Sequence, residues 1–192
     1  YTQGAAVAMS DTHATHTIEI AGVTRHLRLF EIKPGVRIAI LNILGDTELV
    51  QAASIALAER LHGRGVEVLV TPEAKAIPIA HELALAMKLP YAVLRKTYKP
   101  YMGEALTSET LSITTGETQT LYLDEKDRAL VEGKRVCLID DVISTGSTLQ
   151  GMRLIMNKAG AQIAAEAAIL TEGDRAAWSN IVALGHLPVW VD

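Results

Sequence analysis

Residues 136 to 149 read VCLIDDVISTGSTL. Val136 to Ile139 are unbroken apolar residues, too short a run for a helix and bounded by Gly133 before and by polar residues after, which reads as a strand. A strand without polar alternation is covered on both faces, as in a parallel sheet flanked by helices. Asp140 and Asp141 stand at its carboxyl end. Ser144, Thr145, Gly146, Ser147 and Thr148 follow, and a helix is expected from about Ser147 to Lys158. Strand, polar turn and helix in immediate succession make this an α/β protein.

The neighbouring sequence repeats the pattern. Strands are expected at 66–70 and 91–94, with a helix over 77–89 between them that Pro78 opens near its first turn. Strand, helix, strand implies a parallel crossover. Further strands are expected around 163–170 and 189–191. On the amino-terminal side, Val36 to Leu44 reads as the first strand of the core. Gly45-Asp46 supplies a turn and an N-cap for a helix over 47–62. Alternation over 17–32 on both sides of Ala21-Gly22 reads as a β-hairpin. Residues 97–120 are polar, rich in Thr and Gly, and lack helical periodicity, so they are expected as a long loop with at most a loose hairpin. The chain thus divides into an N-terminal tail and hairpin, 1–35, and a core, 36–192, in a single domain. Residues 1–8 are set aside from the fold argument, with Met9 a candidate native start.

At 192 residues the chain can bury a substantial core, and 49% hydrophobic with 21% charged residues is a globular composition. A net charge of −4 argues against a dedicated nucleic-acid binder. No apolar run approaches the roughly 18 to 20 residues that span a bilayer, and no signal segment is visible, so neither a membrane nor export is expected. Cys137 is the one cysteine, which leaves no intramolecular disulfide and fits a reducing cytoplasm. The six histidines, at 13, 16, 26, 62, 81 and 186, show no metal-ligand spacing. Trp178 and Trp190 are read as packing residues.

The chemistry sits in the opening stretch. In open parallel sheets, ligands bind beyond the carboxyl ends of the strands. A helix start there offers free N–H groups and a positive dipole end, Gly146 lets the backbone approach closely, and the hydroxyls add donors, all of which suit a phosphate. Two carboxylates would repel that phosphate, so they must face another part of the same ligand. Carboxylates only accept hydrogen bonds and a vicinal diol donates them. A ribose 5-phosphate satisfies both, with its phosphate on the loop and its 2- and 3-hydroxyls on the aspartates. An isolated Asp-Asp would be an ordinary sheet-end pair, and Ser144 or Ser147 an ordinary cap.

The full run of apolar residues, Asp140-Asp141, two aliphatics and Ser144 to Thr148 resembles, position by position, the phosphoribosyl diphosphate (PRPP) signature of the type I phosphoribosyltransferases. The resemblance covers roughly residues 36–172 and is greatest to adenine and xanthine phosphoribosyltransferases. It implies the type I fold, in which a mostly parallel sheet carries an N-terminal hood, here the hairpin, and a long flexible loop closes over the site. It also implies that Asp140 and Asp141 are catalytic, and that Ser144, Thr145, Gly146, Ser147 and Thr148 bind the 5-phosphate. Glu73, Ala74 and Lys75 occupy the place of the family's pyrophosphate loop, whose adenine-type version reads Glu-Ala-Arg-Gly. Lys75 keeps the charge of that arginine and loses its planar fork. Pro72 to Pro78 also suits a plain strand-to-helix turn.

Arg95, Lys96 and Lys99 stand where adenine enzymes carry an Arg-Lys-x-x-Lys run that contacts pyrophosphate, although such a cluster is also common as a solvated turn. Residues 100–118 fall in the place of the mobile loop. Glu117 lies about where adenine enzymes carry a loop glutamate beside the reacting base, with Glu104 and Glu109 competing for that place and a solvated loop charge the plainer reading of all three.

The implied activity is Mg2+-dependent transfer of the phosphoribosyl group from PRPP to a purine base in nucleotide salvage, by a cytoplasmic homodimer. Mg2+ would be carried by PRPP, with water-mediated contact to Asp140 and Asp141 and no direct protein ligand. Xanthine enzymes carry a lysine after the strand that ends at Thr171-Glu172, where this chain has Gly173. Guanine-type enzymes have an aspartate in place of Ser144. Both absences lean towards adenine, whereas the hairpin differs from the more helical start of many adenine enzymes. Two alternatives stand beside this reading. One is a PRPP-sensing purine regulator, which would carry an additional DNA-binding domain that the roughly 35 residues before the core do not provide. The other is transfer to a different acceptor.

Overall fold

A computed structural model describes residues 14–111 and 118–191. Its centre is β8 (Arg135–Ile143), whose residues Val136 to Ile139 are all buried. Successive side chains of a strand point to opposite faces, and the two faces of β8 meet different layers. Cys137 and Ile139 join Leu69 of β4 (Val68–Pro72) in a core beneath α1 (Thr47–Leu61) and α2 (Ile77–Met87). Val136 and Leu138 join Val68 and Val70 beneath α4 (Ser147–Lys158). With both faces covered, no position in the run can be polar. Leu138→Ala would cost about 2–5 kcal/mol through lost burial and the void left behind.

The parallel sheet also contains β5 (Tyr91–Leu94), β9 (Gln162–Glu172) and β10 (Val182–Leu187), in the order β10-β9-β8-β4-β5. The α/β expectation, with its parallel sheet under helices, is therefore met. Strand β8 runs four residues beyond the expected Ile139, pairing through Ile143↔Thr171. Asp140 and Asp141 thus lie within the last four residues of the strand, and the turn begins at Ser144.

Three differences from expectation have physical causes. First, β3 (Val36–Ile40) pairs antiparallel with β2 (Val23–Lys33), which itself pairs with β1 (Thr15–Ile20). It does not enter the parallel sheet. Pro34-Gly35 is too short a connection for anything but an antiparallel neighbour, and β11 (Trp190–Val191) completes this second sheet on β3. Second, within 97–120, where a long loop with at most a loose hairpin was expected, β6 (Leu106–Leu111) pairs in regular antiparallel register with β7 (Thr118–Leu123). Its buried face combines Leu121 and Leu123 of β7 with two small polar residues of β6. Ser108 donates to the Gly151 carbonyl (2.8 Å) and Thr110 to the Ser147 carbonyl (3.2 Å), which ties the hairpin to α4. Third, α3 (Glu125–Val131), capped by Asp124, and β10 were not anticipated; each is too short to show a clear period.

The antiparallel sheet joins the core through Ile20, Leu27 and Ala39, which pack in one apolar cluster with α1, and through an ion cluster. The Arg25 guanidinium donates to both carboxylate oxygens of Asp46 (2.8 and 2.7 Å) and to Glu48 (2.8 Å). Asp46 also accepts from the Leu49 amide as the N-cap of α1. Among the described residues, no helix is long and apolar enough to cross a membrane.

Candidate functional site

Parallel strands bring their carboxyl ends to one edge, so the order β9-β8-β4-β5 sets four segments side by side. At the end of β8 are Asp140 and Asp141, both half-buried. The Asp141 amide donates to Asp140 Oδ1 at 2.9 Å. Burial pushes the Asp140 carboxyl well above the usual carboxylate range. The adjacent Asp141 carboxyl pushes it further, against smaller opposing effects of the Asp141 amide and the Lys96 ammonium. This is a desolvated acidic pair with a cation nearby, not an interior salt bridge.

The turn after β8 bends at Gly146, where φ is +79°. A Cβ there would sit 2.6 Å from Cη2 of Trp178. Thr145 Oγ1 is 3.2 Å from Ser147 Oγ, and Ser144 and Thr145 are exposed. The Ser147 amide makes only a long bond to Thr145 Oγ1 (3.5 Å), and the N-cap residue of α4 is Gly146, which has no side chain to cap it. Its first-turn N–H groups, with these hydroxyls, face a niche bounded by Asp140, Ser144, Thr145, Gly146 and Thr148. Thr148 Oγ1 donates to Gln119 of β7 at 3.1 Å, so the hairpin buttresses the cradle. Such an arrangement suits a phosphate dianion.

The segment after β4 holds Glu73, Ala74 and Lys75, with a cis peptide between Glu73 and Ala74. Ala74 and Lys75 are exposed. Glu73 reaches across to the end of β5, where it accepts from Arg95 Nε (2.5 Å) and from the Lys96 amide (2.6 Å). Burial alone would raise the Glu73 carboxyl, but the Lys96 amide and the Arg95 guanidinium outweigh it and hold the group below its usual range. Arg95 also pairs by its backbone with Tyr122 and donates weakly to the Tyr101 hydroxyl (3.4 Å). Thus Arg95 is locked in place by Glu73, while Lys75 and Lys96 extend as exposed cations.

The structure therefore brings Asp140, Asp141, the Ser144–Thr148 turn, Glu73, Ala74, Lys75, Arg95 and Lys96 to one edge. Lys99 lies farther along, in the turn before residues 100–102, where its amide donates to Met102 Sδ. Glu109 points from the exposed side of β6, and Glu117 lies outside the described residues. Cys137 takes no part, since burial pushes its thiol up to about 12. No cluster of three or more metal-ligating side chains occurs among the described residues. Trp178 packs, as expected, and one residue here, Glu172, escaped the sequence reading. Trp178 covers Gly146 while its Nε1–H donates to the Glu172 carbonyl (2.9 Å), and the Glu172 side chain is buried at the end of β9. A strand-end glutamate carries no local signal of burial.

A family model described as phosphoribosyl transferase domain matches residues 42–182. The hypoxanthine/guanine phosphoribosyltransferase of Methanococcus voltae is 35% identical over 109 residues, covering 57% of this chain and 54% of that protein. The purine biosynthesis transcriptional repressor of Bacillus subtilis is 27% identical over 133 residues, 69% of this chain and 46% of that protein. The chain spans about half the length of these curated relatives. Among solved structures, the adenine phosphoribosyltransferase of Thermoanaerobacter pseudethanolicus aligns with a TM-score of 0.69 at 22% identity, covering 83% of this chain and 95% of that one. At that identity the likeness establishes the fold.

Proposed function

Because the chain belongs to the phosphoribosyltransferase domain family, we propose that it transfers the 5-phosphoribosyl group of PRPP to a purine base, with adenine preferred, in purine salvage. The observation that carries this reading is the single edge where an acidic pair, an anion cradle and exposed lysines adjoin across β8, β4 and β5. The 5-phosphate rests on Ser144 to Thr148. Asp140 and Asp141 accept hydrogen bonds from the ribose hydroxyls and fix the ring. The diphosphate extends towards Lys75, Lys96 and Arg95.

In the reaction a ring nitrogen of the base forms a bond to C1 of the ribose as the C1–O bond to pyrophosphate breaks, and the proton on the base is lost. Positive charge develops on the sugar ring, where Asp140 and Asp141 offset it, and negative charge on the departing oxygens, where the lysines stand. Two adjacent carboxyl groups without a third ligand fit an Mg2+ ion that takes most of its coordination from diphosphate oxygens and water. When bound, that ion supplies further neutralisation of the leaving group.

Similarity to the purine repressor supports a second reading, in which PRPP is bound and not consumed. Pyrophosphate release from PRPP with Mg2+, measured across adenine, hypoxanthine, guanine, xanthine, uracil and orotate, separates the two. Turnover fastest with adenine is expected. Binding of PRPP with no turnover on any base would favour the regulator.

A further inference from the structure

Gln119 is a polar residue on a face of β7 that is otherwise apolar. Alternate residues of a strand share a face, so Gln119 lies with Leu121 and Leu123, which are buried in the cluster that includes α4. Leu121 packs closely there because Gly151 of α4 has no side chain: a Cβ would sit 3.1 Å from Leu121 Cδ1. Nearer the cradle, where a third apolar residue would continue that face, the chain places an amide, and Thr148 Oγ1 donates to its Oε1 at 3.1 Å. In the hairpin register Gln119 is opposite Thr110, whose hydroxyl donates to the Ser147 carbonyl. One cross-strand pair therefore grips two consecutive residues in the first turn of α4.

Anchoring the hairpin does not require the Gln119 contact. Leu121 and Leu123, the Ser108 and Thr110 bonds to α4 carbonyls, and a bond from Lys158 Nζ to the Thr107 carbonyl (2.7 Å) already fasten it along α4. Thr148, by contrast, borders the niche in which the 5-phosphate is proposed to rest. A phosphate dianion only accepts hydrogen bonds, and a hydroxyl has one hydrogen to give. In this structure Thr148 gives that hydrogen to Gln119. For a phosphate to receive it the hydroxyl must turn, and its oxygen then needs a donor from the hairpin side. An amide turned end for end supplies one, presenting Nε2–H where Oε1 stood.

We propose that Gln119 is a positioning residue for the 5-phosphate: its amide accepts from Thr148 Oγ1 without ligand and turns over to donate to that oxygen when the hydroxyl bonds the phosphate. An amide suits both arrangements because it carries an acceptor and donors together. A carboxylate would hold only the first, and an apolar side chain neither. This inference rests on the reading in which Ser144 to Thr148 bind the 5-phosphate, and deepens it. The same strand supplies a control. Tyr122 of β7 pairs by its backbone with Arg95 on the diphosphate side (2.9 and 2.8 Å). A loosened hairpin would disturb both ends of the ligand, whereas a lost relay at Gln119 disturbs the 5-phosphate alone.

The test titrates ribose 5-phosphate and, separately, pyrophosphate with Mg2+ into the wild type and into Gln119→Met, which keeps the length of the side chain and removes the amide. Affinity for ribose 5-phosphate should fall about three- to tenfold, as for one lost hydrogen bond, while affinity for pyrophosphate stays within about twofold. Thr148→Val removes the hydroxyl and keeps its shape. Adding Gln119→Met to that variant should change ribose 5-phosphate affinity by less than about twofold, because the relay is already broken. Equal ribose 5-phosphate affinity in wild type and Gln119→Met, equal losses for both ligands, or strict additivity with Thr148→Val would overturn the inference and leave the transferase reading intact. Wild-type protein that binds no ribose 5-phosphate would overturn both. Should Gln119→Met not fold, Gln119→Leu, which continues the apolar face, takes its place under the same criteria.

Discussion

Gly146→Ala probes the cradle at its tightest point. At φ +79° a residue with a Cβ pays about 1–2 kcal/mol for the left-handed conformation. The new methyl would also lie 2.6 Å from Cη2 and 3.3 Å from Cζ3 of Trp178. That ring cannot slide freely, because its Nε1–H is held by the Glu172 carbonyl at 2.9 Å. Displacing it forfeits a hydrogen bond worth about 1 kcal/mol. The total is about 2–3 kcal/mol, and for a chain of this size each kcal/mol lowers Tm by about 2–4 °C, so a fall of about 4–12 °C is expected by calorimetry, with a raised KM for PRPP. The double variant Gly146→Ala/Trp178→Ala separates the two causes. It removes the clash and keeps the backbone strain, so its destabilisation should be smaller than the sum of the single effects. A Gly146→Ala protein with unchanged Tm, or strict additivity in the cycle, would refute the reasoning.

Three other outcomes are expected. Asp141→Asn should reduce turnover about tenfold or more while Tm moves by no more than about 3 °C, since in the proposed reaction the charge serves the sugar hydroxyls and not the fold; parallel losses in activity and stability would argue for a structural role. Lys75→Ala should raise KM for PRPP several-fold and leave Tm unchanged, because the side chain is exposed; an unaltered KM would remove it from the diphosphate site. Asp46→Ala should cost about 1 kcal/mol at neutral pH through the lost cap of α1. The Arg25 guanidinium holds the Asp46 carboxyl below its usual range. Its stabilisation is therefore present above about pH 4 and lost as pH falls through the lowered folded value, so denaturation curves of variant and wild type should converge on acidification, and a constant gap would contradict the sign.

How legible the molecule was in its sequence depended on whether the deciding information was local. The β8–turn–α4 unit was readable because burial on both faces forces an unbroken apolar run, and the Asp-Asp and Ser/Thr/Gly turn must follow it directly. β3 was identified as a strand but assigned to the wrong sheet. Apolar content says that a strand is buried and not which partner it pairs with; the two-residue Pro34-Gly35 turn held that answer. The first strand of the β6–β7 hairpin was hidden because Ser108 and Thr110 are buried through hydrogen bonds to α4 carbonyls, so the inward face of β6 looks as polar as a loop. Gly185 similarly masked β10. A Cβ there would lie 2.8 Å from Leu170 Cδ2, so the packing demands the residue that weakens the strand signal. The cations after β5 were placed correctly along the chain, yet nothing local indicated that Glu73 would hold Arg95.

The central claim is that the β8 edge holds the ribose of PRPP between paired acids and a phosphate cradle. Calorimetric titration of PRPP with Mg2+ into wild type and into Asp140→Asn/Asp141→Asn tests it most directly. A saturable one-to-one binding heat in the wild type, weakened about tenfold or more in the doubly substituted protein, is expected. No heat with the wild type, or equal affinity in both proteins, would contradict it.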